Sequence, residues 1–449
     1  MEEKVPVYEK FSLAAGLAGQ NVIYGFIGAY FMFFLTDLLG VGVAVAGIIL
    51  TVASVFDAIT DPIMGLIADR TRTRWGKFRP YLLFTPSLFA IAAVICFTKF
   101  DLPLDGVIAV AMIAYVFCDL AYTFSDIPIW GMTSVIHENP KIKTSVITWA
   151  NFGATFGTVF VTVLGIQVLN LFGGEREPHA FFMTSLIFSV AAVVLMTCTG
   201  LFTKERVKST VEPTPFKKNI QAVVKNKPLL ILLISVFCIV MTISLRSTIQ
   251  IYYAVYVVED TNFMTYAGLA LVVGIVIGLS IVPKLIGRFY KKHLFIAASL
   301  FNILMSIIPY FIGYQNMWVT VGFIGVGFIS VGMLNSLMPT LMMDCIDYGE
   351  WKMGFRSEGI VFSIRTFISK LCAAIARGAT GFALVVLGFA VNVKQTSDVM
   401  MGLHGLMFLF PAILTALAII PMLFFKFTED KRNAVMEEIK QSEQFSNQV

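Results

Sequence analysis

Two acids lie inside a long apolar stretch in the first part of the chain. Asp57 and Asp61 are four residues apart within "SVFDAITDPIMGL". On a helix this spacing places both carboxylates on nearly one face, one turn apart. Neighbouring carboxylates repel each other unless one is protonated or a cation lies between them. With the Thr60 hydroxyl beside it, the pair predicts a Na⁺ or H⁺ site; the alternative is salt bridges to bases on neighbouring helices.

A second stretch, "CDLAYTFSDIPIWGM", combines acids, a hydroxyl and aromatic rings. Asp119 and Asp126 are seven residues apart and share a helix face, and Thr123 lies one turn after Asp119. Tyr122 is next to this stripe, and Trp130 follows one turn after Asp126. Such a stripe suits a sugar, whose hydroxyls donate to carboxylates while its C–H face stacks on an indole. The alternative role for Trp130 is an anchor at the membrane interface.

The charges inside apolar stretches change sign in the second half of the chain. Arg246 lies in "TISLRSTIQIYY", and Arg365, Lys370 and Arg377 lie in "FSIRTFISKLCAAIARG". Four acids in one half and four bases in the other predict attraction across a central cavity. A cation or substrate that competes with these attractions would shift a conformational equilibrium by its differential interaction with the two states.

Membrane helices must position these residues. Of the 449 residues, 57% are hydrophobic and 14% are charged, and the mean hydropathy is +0.82. Soluble domains carry about 25% charged residues, so the composition predicts a polytopic membrane protein. Apolar runs of about 20 residues can span a bilayer. Twelve runs qualify: 12–36, 43–68, 80–97, 106–130, 146–171, 179–202, 229–258, 263–286, 293–313, 318–346, 358–391 and 398–426.

Basic residues predict the orientation of these spans. If the N-terminus is cytoplasmic, the outer connections contain only Lys99, Arg176 and Lys394 of the 33 basic residues. Cytoplasmic loops are enriched in Lys and Arg, so both termini are expected in the cytoplasm. The expected location of the protein is the plasma (inner) membrane. The net charge of +5 then requires no nucleic-acid partner. No nucleophile motif, phosphate loop or zinc signature suggests an enzyme or a cofactor.

A polar, basic segment divides the spans six and six. The predicted organisation is a bundle at 1–202, a cytoplasmic linker at 203–228, a second bundle at 229–426 and a short helical or disordered tail at 427–449. This pattern favours an all-α membrane protein of the major facilitator fold, with two pseudo-symmetric six-helix bundles and a substrate site near the bilayer midplane. A faint echo of "DPIMGLIADRTRTRWGK" in "VPKLIGRFYKK" supports internal duplication.

Several motifs together resemble one transporter family. "DAITDPIMGLIADRTRTRWGKFRP", "FLTDLLG", "DIPIW" and "DCIDYGEWKMGFRSEGIVFSIRTFISK" are similar to the glycoside/pentoside/hexuronide:cation symporter family of the major facilitator superfamily, which includes melibiose permease. The resemblance covers essentially the whole chain. It implies a cation site at Asp57, Asp61 and Thr123. Thr60 replaces an Asn of melibiose permease, which leaves Na⁺, Li⁺ and H⁺ open, although the two acids favour Na⁺.

The resemblance also implies a sugar site, with departures. Asp126, Trp130 and Lys370 match family positions, whereas four amide residues replace charged or aromatic ones and argue against melibiose. A guanidinium pairs bidentately with a carboxylate, so Arg246 and Arg365 favour an acidic sugar; hexuronide and neutral sugar stay open. The expected substrate-binding set is Gln20, Asn21, Tyr122, Asp126, Trp130, Asn151, Arg246, Asn335, Arg365, Thr366 and Lys370.

A charged segment after the second span resembles the cytoplasmic gating motif of major facilitators. We expect its bases to pair with acids of other inner connections when the inside is closed; the alternative is a role in topology alone. The expected gating residues are Asp69, Arg70, Arg72, Arg74 and Arg79, with Asp347, Glu350 and Glu358 as partners.

These features predict a monomeric cation:sugar symporter that works by alternating access, with a sugar, a monovalent cation and the lipid bilayer as its partners. A lysolipid symporter of the same fold would need an apolar channel, but Asn21, Asn151, Asp126 and Asn335 would make the cavity polar. A non-transporting sugar sensor would be expected to carry an additional cytoplasmic domain, and none is visible.

Overall fold

The structure, a computed structural model, describes residues 5–137, 140–206, 221, 223–353 and 358–446. Within these ranges twelve helices are long and apolar enough to span a membrane, and a thirteenth helix follows. The helices are α1 Val7–Phe33, α2 Val43–Arg70, α3 Arg79–Cys96, α4 Leu104–Val135, α5 Pro140–Leu171, α6 Pro178–Phe202, α7 Lys227–Tyr253, α8 Asn262–Leu285, α9 Lys291–Ile312, α10 Met317–Met353, α11 Glu358–Val386, α12 Ser397–Leu423 and α13 Glu429–Ser446.

Two of these helices continue into a π-helical turn. The turn Phe34–Leu38 extends α1, and Ala254–Val258 extends α7. Each extended span contains 32 residues. π-helical turns are rare and frequently occur at functional sites. Because the first and seventh helices occupy equivalent places in two six-helix halves, the matching turns agree with the internal duplication.

The chain folds into two compact units. The first contains Met1–Thr210, Gln250–Gly268 and Arg377–Val399; the second contains Val211–Ile249, Leu269–Ala376 and Met400–Val449. The sequence placed the division at the linker 203–228, of which 207–220 and 222 lie outside the described residues. The last turns of α7 and α11 thus belong to the same unit as α1–α6.

In the first unit α1 packs against α5 and α6, α3 against α4 and α6, and α2 against α4. Glycines let α5 approach the backbone of α1. A Cβ atom at Gly153 would lie 1.9 Å from the carbonyl oxygen of Ala14, and one at Gly157 would lie 2.3 Å from that of Ala18. Any larger residue would push the helices apart, so these glycines fix the position of α1.

The second unit has an apolar core crossed by paired polar groups. Leu229, Phe295 and Leu337 are completely buried in this core. The Asn302 side chain donates to Ser330 at 2.8 Å and accepts from Thr415 at 3.3 Å, which links α9, α10 and α12. Buried polar groups in folded proteins are generally hydrogen-bonded. These bonds therefore fix the register of three helices across the core.

Comparable turns with an isolated backbone bridge are found in the described parts of both units. An isolated bridge joins Thr73 to Gly76 before α3, and a second joins Ile286 to Phe289 before α9. A glutamate that follows the last helix of each half accepts from backbone N–H groups next to these turns. Glu205 accepts from Phe78 at 2.8 Å, and Glu429 accepts from Lys291 at 2.7 Å. The echo in the sequence thus has a structural counterpart.

Candidate functional site

The acids of α2 meet the threonine of α4 inside the first unit. The Thr123 hydroxyl is hydrogen-bonded to Oδ1 of Asp57 and lies 3.0 Å from Oδ1 of Asp61. Thr123 is completely buried and Asp57 is only 7% exposed. One hydroxyl proton cannot satisfy two carboxylates at once, so Thr123 joins the two acids without balancing their charge. We call Asp57, Asp61 and Thr123 the acid cluster.

The acid cluster offers the donor set that hard cations prefer. Carboxylate and hydroxyl oxygens suit hard cations, whereas thiolate and imidazole ligands suit transition metals. Thr60 is buried next to the cluster, and its hydroxyl donates to the backbone oxygen of Asp57 at 3.0 Å. Its oxygen lone pairs stay available to a ligand. The four residues could hold Na⁺ or exchange a proton.

Two predicted substrate residues of the first unit are linked to partners that the sequence did not suggest. Gln20 on α1 donates to Ser125 on α4 at 3.0 Å. Gln20 is completely buried, and its Oε1 has no hydrogen-bond donor among the described residues. The Tyr122 ring stacks on Tyr24 with centroids 4.3 Å apart. Tyr24 and Ser125 are polar residues of apolar helices, and only their contacts distinguish them from packing residues.

The remaining first-unit residues differ in burial. Asp126 is 9% exposed, on the same helix as Thr123. Asn21 donates to the backbone oxygen of Leu17 at 2.9 Å, within its own helix. The exposed Asn151 also bonds within its helix, to Ile147 at 2.9 Å. Trp130 is half-buried and packs against the apolar core of this unit.

Arg246 is buried in the second unit without a carboxylate partner among the described residues. Its Nη2 donates to Ser306 on α9 at 2.5 Å, and its guanidinium lies 5.9 Å from the centre of the Phe328 ring on α10. Its Nε, also buried, has no acceptor in the described part of the chain. A buried charge without a counter-ion is costly. Arg246 therefore provides an unneutralised positive charge inside the unit.

The other predicted substrate residues of this unit lie on α10 and α11. Asn335, Arg365 and Lys370 are half-buried. Thr366 is exposed, and its hydroxyl donates to the backbone oxygen of Phe362 at 3.2 Å. Thr366 and Lys370 are one helical turn apart, so they share a face of α11.

Two of the predicted gating bases, Arg79 and Arg74, contact groups within the first unit. Arg79 donates to the backbone oxygens of Gly200 at 3.0 Å and Leu201 at 3.3 Å, at the end of α6. Arg74 lies over the Trp75 ring at 5.0 Å. Arg70, Arg72 and Arg74 are exposed. The side chains of Asp69 and Glu358 lie outside the described residues.

One predicted gating acid of the second unit, Asp347, is bonded to the tail helix α13, together with Asp344, which the sequence analysis did not single out. Arg432 donates to Asp347 at 2.9 Å and lies 3.0 Å from Asp344. Lys291 at the start of α9 pairs with Asp344 at 2.5 Å. Glu350 is half-buried. The tail is therefore a docked helix, and the sequence pattern did not predict its ion pairs because they join residues 85 or more positions apart.

The tail helix makes further contacts on both sides of these ion pairs. Trp351 Nε1 donates to Glu438 at 2.6 Å, and the Tyr290 hydroxyl donates to Asp430 at 2.7 Å. The hydrogen bond and the nearby negative charge raise the pKa of Tyr290 above its ordinary value. These contacts anchor the first part of α13, from Asp430 to Glu438, to the second unit.

Replacing Glu205 is expected to loosen the turn before α3. Its carboxylate accepts from the N–H groups of Lys77, Phe78 and Arg79, and Glu205→Ala leaves these donors unpaired. The expected loss is about 1–3 kcal/mol of stability. Melting temperature and tryptic cleavage at 72–74 measure it, with the exposed Glu177→Ala as control. Unchanged melting and cleavage in Glu205→Ala would contradict this role.

A second polar cluster joins the two π-helical turns in the first unit. Asp37 of the first turn accepts from the hydroxyls of Thr36, at 2.5 Å, and of Tyr256 in the second turn. Thr36 also pairs with Tyr252 at 3.0 Å. Asn392, after α11, donates to the backbone oxygen of Asp37 at 2.8 Å. We call these residues the π-turn cluster; a cavity of about 550 Å³ lies beside it.

Comparisons with known proteins identify the family. The family model described as "MFS/sugar transport protein" matches residues 12–429. A "putative sulfoquinovose importer" of Escherichia coli is 32% identical over 447 residues, which cover 98% of this chain and 94% of that protein. The "isoprimeverose transporter" of Lactiplantibacillus pentosus is 29% identical over 437 residues, 94% of this chain and 89% of that protein.

Solved structures agree on the fold. A bacterial homologue of the human lysosomal transporter Spinster, in an inward-facing and unoccupied conformation, matches with a TM-score of 0.69 over 94% of this chain and 97% of that chain, at 12% identity. That identity supports the fold alone, and the fold is that of the major facilitators. The chain is thus a multi-pass membrane transporter rather than an enzyme, and it belongs to the MFS/sugar transport protein family.

Proposed function

We propose that the protein is a cation:sugar symporter in which the acid cluster binds the coupling cation. The observation that carries this proposal is the convergence of Asp57, Asp61 and one shared Thr123 hydroxyl. Buried acids inside membrane spans are costly and generally functional. A Na⁺ ion among these oxygens would remove the repulsion between the two carboxylates. A proton shared between them would do the same, so H⁺ is the alternative coupling ion.

Cation binding and sugar binding would be coupled because the acid cluster lies close to predicted sugar-binding residues. Asp126 lies three residues after Thr123 on α4, and Gln20 is bonded to Ser125 between them. A cation that fixes α2 against α4 would pre-organise these side chains and raise sugar affinity. Linkage requires that the sugar raise cation affinity by the same factor. Alternating access, with both termini in the cytoplasm, would then deliver both ligands to the same side.

The proposed substrate is a glycoside, pentoside or hexuronide. The named substrates of the two relatives above, sulfoquinovose and isoprimeverose, differ in charge, since the first carries a sulfonate. The uncompensated guanidinium of Arg246 and the half-buried Arg365 favour an acidic sugar for this chain. The acidic group would provide the counter-charge that the described side chains around Arg246 do not.

A thermal-shift panel on the purified protein tests this proposal. Isoprimeverose, glucuronic acid and sulfoquinovose are each added in Na⁺, Li⁺ or K⁺ medium, at two pH values. A true co-substrate pair should raise the melting temperature by more than the sum of the separate shifts, because each ligand increases the affinity of the other. Strictly additive shifts for every sugar in every medium would rule out symport of these substrates.

A further inference from the structure

One buried guanidinium joins α11 to both helices of the acid cluster. Arg377 is 7% exposed and belongs to the part of α11 that groups with the first unit. Its Nη1 donates to the Tyr115 hydroxyl on α4 at 2.5 Å and lies 3.5 Å from the Ser54 hydroxyl on α2. Any change in the spacing of α2 and α4 therefore acts on the contacts of Arg377.

Backbone packing next to Arg377 strengthens this connection. A Cβ atom at Gly378 would lie 2.6 Å from the Thr51 hydroxyl, and one at Gly381 would lie 3.2 Å from the Cα of Gly47. About one turn of α11 thus lies directly on α2. Close-packed surfaces of this kind do not deform continuously, so α11 either follows a movement of α2 or separates from it.

The partners of Arg377 lie close to the acid cluster along each helix. Ser54 precedes Asp57 by three residues on α2, which is less than one turn. On α4, Tyr115 precedes Asp119 by one turn, and Asp119 precedes Thr123 by one turn. Asp119 also interacts electrostatically with Arg377. Asp119, one turn before the cluster residue Thr123, therefore attracts the guanidinium.

We propose that Arg377 is a positioning residue that couples cation binding to the opening of the outer end of the transporter. This proposal rests on the symport function proposed above. Without a cation, the charge of the acids holds the guanidinium, and with it α11, against α2 and α4. A bound Na⁺ cancels part of that charge. For charges about 10 Å apart at an effective dielectric constant near 20, this weakens the closed contact about tenfold.

The π-turn cluster provides a second set of contacts that depends on the position of α11. The same chain segment continues from Arg377 to Asn392, whose side chain donates to the backbone oxygen of Asp37 and whose N–H donates to the Tyr256 hydroxyl at 3.1 Å. Separation of α11 from α2 would pull on these bonds. In this proposal the contacts of Arg377 with α2 and α4 and the hydrogen bonds of Asn392 in the π-turn cluster form and break together when α11 approaches or leaves α2.

Labelling of one cysteine tests the proposal. The Thr51→Cys substitution is made in a variant that lacks the six native cysteines, and this protein, the parent of the experiment, is reconstituted in vesicles. The new cysteine faces Gly378 of α11 across the contact between α2 and α11. An impermeant maleimide added from outside should label it about tenfold faster in Na⁺ than in choline medium. When Arg377→Met is added to this variant, the cysteine at position 51 should be labelled fast in both media. Arg377→Lys keeps the charge and should retain part of the Na⁺ response, and Lys394→Met, an exposed base in the same segment, should match the parent.

Thermal shifts with Na⁺ separate this proposal from the proposed function. If Na⁺ stabilises Arg377→Met as it stabilises the parent, while labelling no longer responds to Na⁺, the coupling role is supported. If Arg377→Met labels at the parental rate and keeps its Na⁺ response, the role is overturned. If Na⁺ stabilises neither protein nor changes labelling, the cation site fails and this proposal fails with it.

Discussion

Asp61→Asn is expected to lower Na⁺-stimulated sugar uptake by about 100-fold or more, and Asp57→Asn to do the same. Each substitution removes one of two carboxylates that share the Thr123 hydroxyl. The remaining carboxylate then has an amide in place of a second carboxylate beside it, so the cluster carries one negative charge fewer and attracts a cation less strongly. A loss of about 2.7 kcal/mol in cation affinity corresponds to that factor. Initial uptake rates in Na⁺ and choline media, with expression measured in parallel, give the result.

A matched control replaces an acid that lies on α4, the helix of Thr123, but outside the acid cluster. Asp105 lies exposed in the first turn of α4, and Asp105→Asn removes the same charge at a distance from Thr123. It should transport as the parent does. Sugar counterflow without a cation gradient should survive in Asp61→Asn better than Na⁺-driven uptake does, because the sugar residues stay in place. Full Na⁺ stimulation of Asp61→Asn would refute the proposed cation site.

Asp344→Asn is expected to cause a large loss of stability in the second unit. Asp344 accepts from Lys291 and contacts Arg432, and both Asp344 and Lys291 are less than 10% exposed. Removing one partner of a buried ion pair leaves the other charge uncompensated, which costs about 3–5 kcal/mol. Thermal unfolding of the purified protein in detergent measures this as a lower melting temperature.

The double variant Lys291→Met/Asp344→Leu distinguishes an ion-pair effect from a packing effect. Replacing both charges by apolar groups removes the uncompensated charge, so the double variant should be more stable than Asp344→Asn alone. Asp398→Asn, at an exposed first turn of α12, is the control and should unfold as the parent does. A double variant no more stable than the single one would show that the ion pair is not what Asp344 contributes.

The helices themselves could be predicted from the sequence. Twelve apolar runs matched twelve helices, because a bilayer requires each spanning segment to be continuous, apolar and about 20 residues long. Helix ends were less accurate: α10 continues to Met353, beyond the predicted end at 346, because its last turns carry Asp347 and Glu350. Charged turns outside the hydrocarbon region do not contribute to an apolar run.

The acids of the acid cluster could be predicted from the sequence for a similar reason. Asp57 and Asp61 are conspicuous because acids are rare in apolar segments, and helical spacing places them on one face. Thr123 joined the predicted cation site only through the family resemblance. The π-turn cluster could not be predicted. Asp37, Tyr252 and Tyr256 occur near helix ends, where polar residues are common, and nothing in their spacing indicates that the two turns meet.

The sequence by itself determined that the chain crosses a membrane twelve times, with paired acids in its second and fourth spans, because hydrophobicity and helical period are local properties. Only the tertiary structure decided which polar groups meet. Glu205 with the turn before α3, Arg432 with Asp347, and Arg377 with Tyr115 join residues far apart in the chain. Such pairs depend on how helices pack, and packing depends on the shape of every side chain at the interface rather than on a period along one segment.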